Sequence, residues 1–282
     1  MTLFKIPYQF APDCQSITRG SKSNFIASFR FLPRYRTDAL IKVYAFFRIA
    51  DDCVDELDEP QDKLAALNFW RGHLELMYQG RPNHPVMAEL YTIITRFNIP
   101  QEYFFGLLDG CEMDVNKTRY QNFAELYQYC YRVAGLVGLT CMKIFEYESD
   151  SAKRMAVDLG MAFQLTNIIR DIRDDLKLNR IYLPVQDIQQ FGYSEQELRA
   201  GVENAAFINL MDFYYHKASG YYDLALSEFE FDPEDKLVAA KVMTTFYHAI
   251  LKKIRAKRFP VLRKKVSLNV FEKTYLLLPY LF

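Results

Sequence analysis

The spacing of apolar residues constrains the fold of this chain more than any other feature of its sequence. Apolar positions recur three and four apart, the period of an α-helix, whereas the alternating pattern of a β-strand is scarce. Prolines and short polar stretches separate the periodic segments. The pattern predicts helices over 36–57, 61–79, 85–97, 101–114, 122–147, 151–178, 203–229, 234–257 and 268–278.

Nothing in the sequence marks a domain boundary. The chain has 282 residues, enough to bury a substantial core, and contains no Gly/Ser-rich linker, internal repeat or low-complexity segment. We therefore predict an all-α fold with one domain, residues 1–282, in which eight or more helices form a bundle around a common core.

Composition and cysteine usage argue against several classes of protein. The 35 basic and 35 acidic residues give a formal net charge of zero, which argues against a general affinity for nucleic acid. The five cysteines form no CxxC pair, so neither a zinc site nor a disulfide framework is indicated, and a reducing, cytoplasmic location is expected. We find no signal peptide, and no stretch reaches the ~18 apolar residues of a membrane span. The apolar YLLLPYLF at the carboxyl end is expected to pack into the fold, with contact to a bilayer surface as the alternative.

Residues 167–184, NIIRDIRDDLKLNRIYLP, place an asparagine and three aspartates among isoleucines and arginines. A helix advances about 100° per residue, so positions four apart lie almost above one another. Gln164, Asn167, Asp171 and Asp175 fall on one stripe, and apolar flanks separate this stripe from the opposite side of the helix. One polar stripe is expected to face water, so a second one between apolar flanks is expected to line the interior of the bundle.

A second acidic segment, RIADDCVDELDE (48–59), shows the same spacing more than a hundred positions earlier, since Tyr44, Arg48, Asp51 or Asp52, and Asp55 follow one face. Buried carboxylates need protonation, basic partners or a metal. Oxygen ligands select hard cations, and Mg²⁺ is commonly held by a few carboxylates while phosphates and water complete its coordination. The two stripes therefore predict a cavity in which Mg²⁺ holds a diphosphate, and the alternative is two solvated helix faces.

Four sequence blocks, in this order, resemble the squalene/phytoene synthase family over roughly residues 20–275. They are SNFIASFRFLP (23–33) with YAFFRIADDCVDE (44–56), YCYRVAGLVGL (129–139), QLTNIIRDIRDDLKLNRIYLP (164–184) and LRKKVSLNVFEK (262–273). Paired acidic motifs alone are shared with other class I terpenoid enzymes, whereas the YCYRVAGLVG block and the order of all four are specific. The resemblance implies a helical bundle of the class I isoprenoid synthase type with a central hydrophobic cavity. It also implies Mg²⁺-dependent, head-to-head condensation of two allylic diphosphates.

The resemblance also implies roles for individual residues. Tyr129 matches a tyrosine that is usually given an acid–base or cation-stabilising role. The predicted catalytic residues are Arg48, Asp51, Asp55, Tyr129, Asp171 and Asp175. The predicted metal ligands are Asp51, Asp55, Asn167, Asp171 and Asp175. The residues predicted to bind the diphosphates and head groups of the substrates are Ser21, Lys22, Ser23, Asn24, Tyr44, Arg48, Gln164, Asn167 and Arg170.

Aromatic side chains are abundant, with 23 phenylalanines and 20 tyrosines. Ionisation of an allylic diphosphate leaves a carbocation, which needs a dry pocket with π faces because water would quench it. The candidates for this lining are Phe25, Phe29, Tyr44, Phe47, Tyr129 and Tyr247, and Tyr247 is also predicted to bind substrate. The small residues of YCYRVAGLVG predict that another helix or a ligand approaches closely there.

The product is predicted from a narrower resemblance. EYFFGLLDGCEMDVNKTRY (102–120) and KKVSL (264–268) are similar to presqualene diphosphate synthases, which join two farnesyl diphosphates. Phytoene synthase, acting on geranylgeranyl diphosphate, is the first alternative, and a reductive squalene synthase is less favoured. A non-catalytic helical scaffold is argued against by the presence of all four aspartates, and a head-to-tail elongase by the YCYRVAGLVG block. Two prenyl diphosphates are the predicted partners, with peripheral membrane contact left open.

Overall fold

Helices account for nearly all regular structure in the part of the chain that a computed structural model describes, residues 5–19, 28–231 and 236–280. The first seven are α1 (Cys14–Thr18), α2 (Arg34–Asp55), α3 (Pro60–Tyr78), α4 (Pro85–Phe97), α5 (Gln101–Asn116), α6 (Phe123–Cys130) and α7 (Leu136–Phe145). The others are α8 (Asp150–Lys177), α9 (Val185–Gln190), α10 (Glu195–Arg199), α11 (Ala205–Leu226), α12 (Val238–Ala256) and α13 (Val270–Leu277). They form a single helical domain, so the all-α prediction is confirmed.

Each predicted periodic segment corresponds to a helix or a helix pair. The segment 122–147 is two helices, α6 and α7, joined by a π-helical turn at Tyr131–Gly135. The short helices α1, α9 and α10 were not predicted, because five or six residues are too few to show a period of 3.6. Side-chain caps fix several helix starts: Ser149 accepts the amide of Ala152 at α8, and Asn269 forms a capping box with Glu272 at α13.

The central helix α8 lies very close to α7 and the π turn. A Cβ on Gly138 would overlap the carbonyl oxygen of Ala156, and one on Gly160 would lie 2.6 Å from the carbonyl oxygen of Ala134. Only glycine allows backbones to approach so closely. The close helix approach predicted from the YCYRVAGLVG block is therefore confirmed.

The segment after α8 turns back toward the bundle. Asn179 has a left-handed backbone (φ 59°), and an isolated bridge joins Ile181 to Arg119, which is also bound to Glu195 of α10. Arg180 and Tyr182 of this segment are buried as a result. Among the helices in the described ranges, none combines the length and the apolar composition needed to cross a membrane.

Candidate active site

A cavity of about 370 Å³ lies within the helical bundle. Its walls come from α2, α5, α6, the π turn with α7, α8, α12 and residues 28–29, and most of the lining is apolar. Five of the six aromatic residues predicted for such a wall line it, namely Phe29, Tyr44, Phe47, Tyr129 and Tyr247; Phe25 lies outside the described residues. The volume is within the range of ligand-binding sites in proteins.

The charged and amide side chains that line the cavity lie toward one end. On α2, α5 and α8 the last residue to reach the cavity is polar, being Asp51, Asp114 and Asn167 respectively. Tyr129, near the end of α6, precedes in sequence the lining residues of the π turn and α7. The charge of Asp114 acts on Asp51, which is expected only if these groups lie near one another. The other end is lined by small and apolar residues, among them Met142 and Phe145.

The two adjacent aspartates of α2 have different environments. Asp52 is buried and receives hydrogen bonds from Arg48 Nε (2.8 Å) and the Tyr8 hydroxyl (2.6 Å). Asp51 lines the cavity, where its surface is accessible although protein surrounds it. Burial, together with the charges of Asp55 and Asp52, raises the pKa of Asp51 to about 7. Asp51 is therefore the member of the pair that faces the cavity, with Arg48 beside it.

Asp55 is held by a residue that the sequence did not single out. Arg180 donates from Nη1 to Asp55 Oδ1 (2.7 Å) and from Nη2 to the carbonyl oxygen of Val54 (3.1 Å). The Arg180 side chain is buried, whereas Asp55 is partly exposed. The positive charge of Arg180 also acts on Asp114 and Asp175, so one guanidinium offsets part of the repulsion among these two carboxylates and Asp55.

The acidic stripe of α8 continues one and two turns beyond the cavity lining. Asp171 is paired with Arg170, and Lys265 Nζ lies 2.8 Å from its Oδ1. Burial acts to raise the pKa of Asp171, but these two basic partners outweigh it and the pKa is lowered. Burial and the charges of Asp171 and Asp114 raise the pKa of Asp175 to about 8. The guanidinium of Arg170 also lies 6.0 Å from the ring centroid of Tyr247.

Tyr129 belongs to a cluster of three tyrosines around Asp114. Its hydroxyl donates to Asp114 Oδ2 (2.9 Å), and the Tyr182 hydroxyl donates to Oδ1 (2.8 Å). The rings of Tyr129 and Tyr182 stack with centroids 4.9 Å apart, and Tyr120 packs against both. Burial raises the pKa of Asp114 to about 6, although Arg180 and the two hydroxyls act to lower it. Burial also raises the pKa of Tyr129 well above its usual value, so its hydroxyl stays protonated.

The structure brings most predicted site residues to one region. Those that line the cavity are Tyr44, Arg48, Asp51, Tyr129, Gln164, Asn167 and Tyr247. Asp55, Arg170, Asp171 and Asp175 are not among its lining residues but lie beside its polar end. Ser21, Lys22, Ser23 and Asn24 lie outside the described residues.

Three further residues at this end were missed by the sequence reasoning: Asp114, Arg180 and Tyr182. For Asp114, a weak signal exists, because it lies one turn after Gly110 and Cys111 on a helix that is otherwise apolar on that face. Arg180 and Tyr182 follow α8 in an irregular segment, where no periodicity places a side chain.

The donor atoms at the polar end fit a hard cation such as Mg²⁺. They are oxygens, and Asn167 Oδ1 is buried without a hydrogen-bond partner in the part of the chain described. Burial, with added repulsion from neighbouring carboxylates, raises the pKa values of Asp51 and Asp175, and a bound cation would relieve both effects. No three His, Cys, Asp or Glu side chains within the described ranges are grouped as a ready chelate. The residues therefore suit an ion whose coordination the phosphates of a substrate complete, rather than a closed protein site.

In metal-free protein, the free energy of unfolding is expected to fall as pH rises. The folded state holds the protons of Asp51 and Asp175 more tightly than the unfolded chain, whose aspartates have the ordinary pKa of 3.8. This contribution is complete below the unfolded pKa and is lost as pH rises through the folded values of about 7 and about 8. The two shifts alone correspond to roughly 4 kcal/mol between about pH 6 and about pH 8.5. Because the surface of Asp51 is accessible and solvent screens its charge, thermal unfolding in a chelator should show a loss of roughly 2 kcal/mol.

The matched control for this titration is the Asp51→Asn/Asp175→Asn variant, which should lose most of the pH dependence. A Tm that does not change over this interval in the wild-type protein would contradict the crowding of these carboxylates. Mg²⁺ added at the higher pH should restore part of the lost stability, because a bound cation offsets the repulsion.

Comparison with known proteins gives evidence about the family of this chain that is independent of the site geometry. The family model described as squalene/phytoene synthase matches residues 18–272. The chain is 30% identical to a 15-cis-phytoene synthase of Synechococcus elongatus, over 93% of this chain and 89% of that protein. It is 31% identical to a presqualene diphosphate synthase of Rhodopseudomonas palustris, over 94% and 95% of the two chains.

A solved structure supports the same assignment. The fold superposes on the squalene synthase HpnC from Alicyclobacillus acidocaldarius with a TM-score of 0.81 at 29% sequence identity, covering 87% of this chain and 93% of that one. The match of the family model spans nearly the whole chain and includes every described residue of the cavity wall. The protein is a prenyltransferase and belongs to the squalene/phytoene synthase family.

Proposed function

We propose that this prenyltransferase condenses two molecules of farnesyl diphosphate head to head and releases presqualene diphosphate, in a reaction that depends on Mg²⁺. The observation that carries the proposal is the division of the cavity into a polar end, with Arg48, Asp51 and Asn167, and an apolar remainder rich in aromatic rings. An allylic diphosphate has the same division, with a charged head and a hydrocarbon tail. The choice of farnesyl diphosphate rests on the sequence blocks that are similar to presqualene diphosphate synthases.

The polar end is suited to receive the diphosphate. Arg48 is about half exposed despite its pairing with Asp52, so its guanidinium has donors available to a second anion. Asn167 contributes an amide beside Gln164, whose Oε1 it approaches at 3.4 Å. Asp51, Asp55, Asn167, Asp171 and Asp175 would hold Mg²⁺. The bound ion supplies positive charge that stabilises the departing diphosphate.

The chemistry begins when the C1–O bond of one farnesyl diphosphate breaks and both electrons leave with the diphosphate. The allylic cation that remains is attacked by the double bond of the second substrate, and loss of one proton closes the cyclopropane ring. The rings of Phe29, Tyr44, Phe47 and Tyr247 offer π faces to the cation and exclude water. The released diphosphate can accept the proton.

Of the acid–base and cation-stabilising roles predicted for Tyr129, its contacts favour the second. Its hydroxyl is a hydrogen-bond donor to Asp114 and keeps its proton, so Tyr129 does not act as a free base. The bond to Asp114 fixes the direction of the hydroxyl and leaves oxygen lone pairs to stabilise a cation. Asp114, with a pKa of about 6, is the member of the pair that is deprotonated at neutral pH and can therefore accept a proton.

Phytoene synthesis from geranylgeranyl diphosphate is the second candidate, because the relatives of similar identity include a phytoene synthase. The purified protein should be incubated with Mg²⁺ and either diphosphate, with and without NADPH, and the products identified by mass. We expect presqualene diphosphate from farnesyl diphosphate, unchanged by NADPH.

Each other outcome of this assay supports a different function. Preferred conversion of geranylgeranyl diphosphate to phytoene would establish the second candidate. Squalene formed only with NADPH would indicate a complete reductive enzyme, and no turnover of either diphosphate would favour the scaffold alternative.

A further inference from the structure

Helix α13 presents an apolar face to solvent. Val270, Phe271, Tyr275 and Leu278 of α13 and the turn after it are 76%, 86%, 74% and 44% exposed. At 100° per residue these positions fall within one arc of about 140°, together with Thr274. Single exposed apolar residues are common on protein surfaces, but four in one arc form a contiguous patch, which we call the α13 patch.

The patch is held firmly against the bundle. Outside this arc, Leu276 and Leu277 pack on the core, and Glu272 accepts two hydrogen bonds from Lys253 of α12 at 2.6 and 2.7 Å. The Tyr280 hydroxyl lies 2.7 Å from the Thr245 hydroxyl. These contacts anchor α13 to the bundle, and the exposed aromatic residues Phe271 and Tyr275 take no part in them.

The chain segment that contains the patch is rich in basic residues, with nine basic residues and one acidic residue over 252–282. Four of the nine, Lys253, Arg255, Arg263 and Lys265, form ion pairs with acidic residues, so the excess positive charge lies on the other five. Lys257 and Arg258 are exposed, and neither forms an ion pair with any residue that the structure describes. The charge of Lys257 acts on Glu272, which places it next to α13.

We propose that the α13 patch and the basic residues around it attach the protein to the surface of an anionic lipid bilayer. Aromatic and aliphatic side chains of an interfacial helix insert between head groups, while flanking basic residues bind anionic lipids. The five residues of the arc are few for a second copy of the chain, because stable interfaces use about 20–30 residues on each side. A nucleic acid would use the charges but not the apolar arc.

The position of the patch relative to the cavity is consistent with this attachment. One face of α12 contributes Ala239, Met243 and Tyr247 to the cavity wall, and a different face carries Thr245 and Lys253, which contact the α13 region. Only one helix therefore separates the docked surface from the cavity. The attachment does not depend on the proposed reaction, since it rests on exposed side chains and charge alone.

The proposal can be tested by sedimentation of the full chain with two kinds of vesicle, phosphatidylcholine alone and phosphatidylcholine with phosphatidylglycerol. We expect binding to the anionic vesicles, weakened by high salt. The Phe271→Ser/Tyr275→Ser variant should bind on the order of tenfold more weakly for each aromatic residue removed. The Lys257→Gln/Arg258→Gln variant should bind about thirtyfold more weakly, because each basic residue near such a surface contributes about fivefold.

Matched controls separate the patch from general surface effects. Phe10→Ser removes an aromatic residue that is 81% exposed elsewhere, and Lys153→Gln/Arg154→Gln removes an exposed basic pair of α8. Both controls should bind like the wild type, and thermal unfolding should be unchanged in all four variants because the altered side chains are exposed. Absence of binding to anionic vesicles at low salt, or equal losses in the controls, would overturn the proposal. Vesicle binding requires no substrate, so this result is independent of the catalytic assay.

Discussion

Replacement of Asp51 by asparagine is expected to abolish prenyl transfer and leave the stability of the fold unchanged. The same change at the adjacent Asp52 is expected to destabilise the fold and leave most of the activity. Asp51 faces the cavity, where burial and the charges of Asp55 and Asp52 raise its pKa to about 7. Asp52 is 1% exposed and is bound by Arg48 and Tyr8. The two carboxylates are neighbours in sequence but lie on different faces of α2, so they make different contributions.

For Asp51→Asn we expect kcat to fall about a thousandfold, because a ligand that positions charge against the leaving diphosphate is removed. The free energy of unfolding should stay the same or rise above about pH 7, since the neutral amide relieves repulsion by Asp55 and Asp52. The measurements are pyrophosphate release with the accepted prenyl diphosphate and Mg²⁺, and thermal unfolding of the same preparation.

For Asp52→Asn we expect a loss of roughly 2 kcal/mol in the free energy of unfolding. Removal of one partner of a fully buried pair costs about 3–5 kcal/mol, and the estimate is reduced because the Arg48 side chain is 43% exposed. Its kcat should fall less than about tenfold, because Arg48 is freed but remains in the cavity wall. If Asp51→Asn retained full activity, the assignment of the metal ligands would be wrong.

The contrast between these two aspartates shows a choice that a helical wheel cannot make. The wheel placed Asp51 or Asp52 on the face of Tyr44 and Arg48, since positions three and four residues on are both near neighbours. The choice depends on how α2 is rotated against α5 and the amino-terminal segment, which supplies Tyr8. That rotation is set by tertiary packing, so no local pattern in the sequence decides it.

The long helices, and the relative directions of side chains within one helix, were predictable because the α-helix has a fixed period. Gln164 and Asn167 reach the cavity wall together because the period of α8 fixes their relative direction. The π turn at Tyr131–Gly135 was not predictable, because one extra residue in a turn leaves the apolar pattern of the flanking helices almost unchanged.

Residues that meet across elements were the ones that sequence reasoning missed. Asp114 of α5 meets Tyr129 of α6 and Tyr182 of the segment after α8, and none of the three sequence spacings is short. Arg180 pairs with Asp55 across 125 positions. The contacts of Arg180 and Tyr182 depend on the return of an irregular segment to the bundle, which a bridge between Ile181 and Arg119 fixes in place.

The Tyr129–Asp114 pair is expected to act as one unit in catalysis. Tyr129→Phe removes the hydroxyl and should lower kcat by about two to three orders of magnitude, the size of effect seen when one stabilising polar group is lost. Asp114→Asn keeps the shape of the side chain but removes the charge that orients two hydroxyls, and we expect a loss of about a hundredfold.

The double variant Tyr129→Phe/Asp114→Asn distinguishes a shared role from two separate ones. If Asp114 acts through Tyr129, the double variant should be no slower than the slower single variant, because the second change removes an interaction already lost. If the two losses multiplied, Asp114 would act on its own, for example on the substrate or a cation.

Tyr120→Phe is the matched control for this cycle. Tyr120 packs against the rings of both Tyr129 and Tyr182, but its buried hydroxyl has no hydrogen-bond partner among the residues that the structure describes. Removal of an unsatisfied buried hydroxyl costs no interaction, so kcat should be unchanged and the Tm equal or higher. A large loss of activity in Tyr120→Phe would mean that the packing of the three rings, rather than the hydroxyl of Tyr129 and its bond to Asp114, determines the rate.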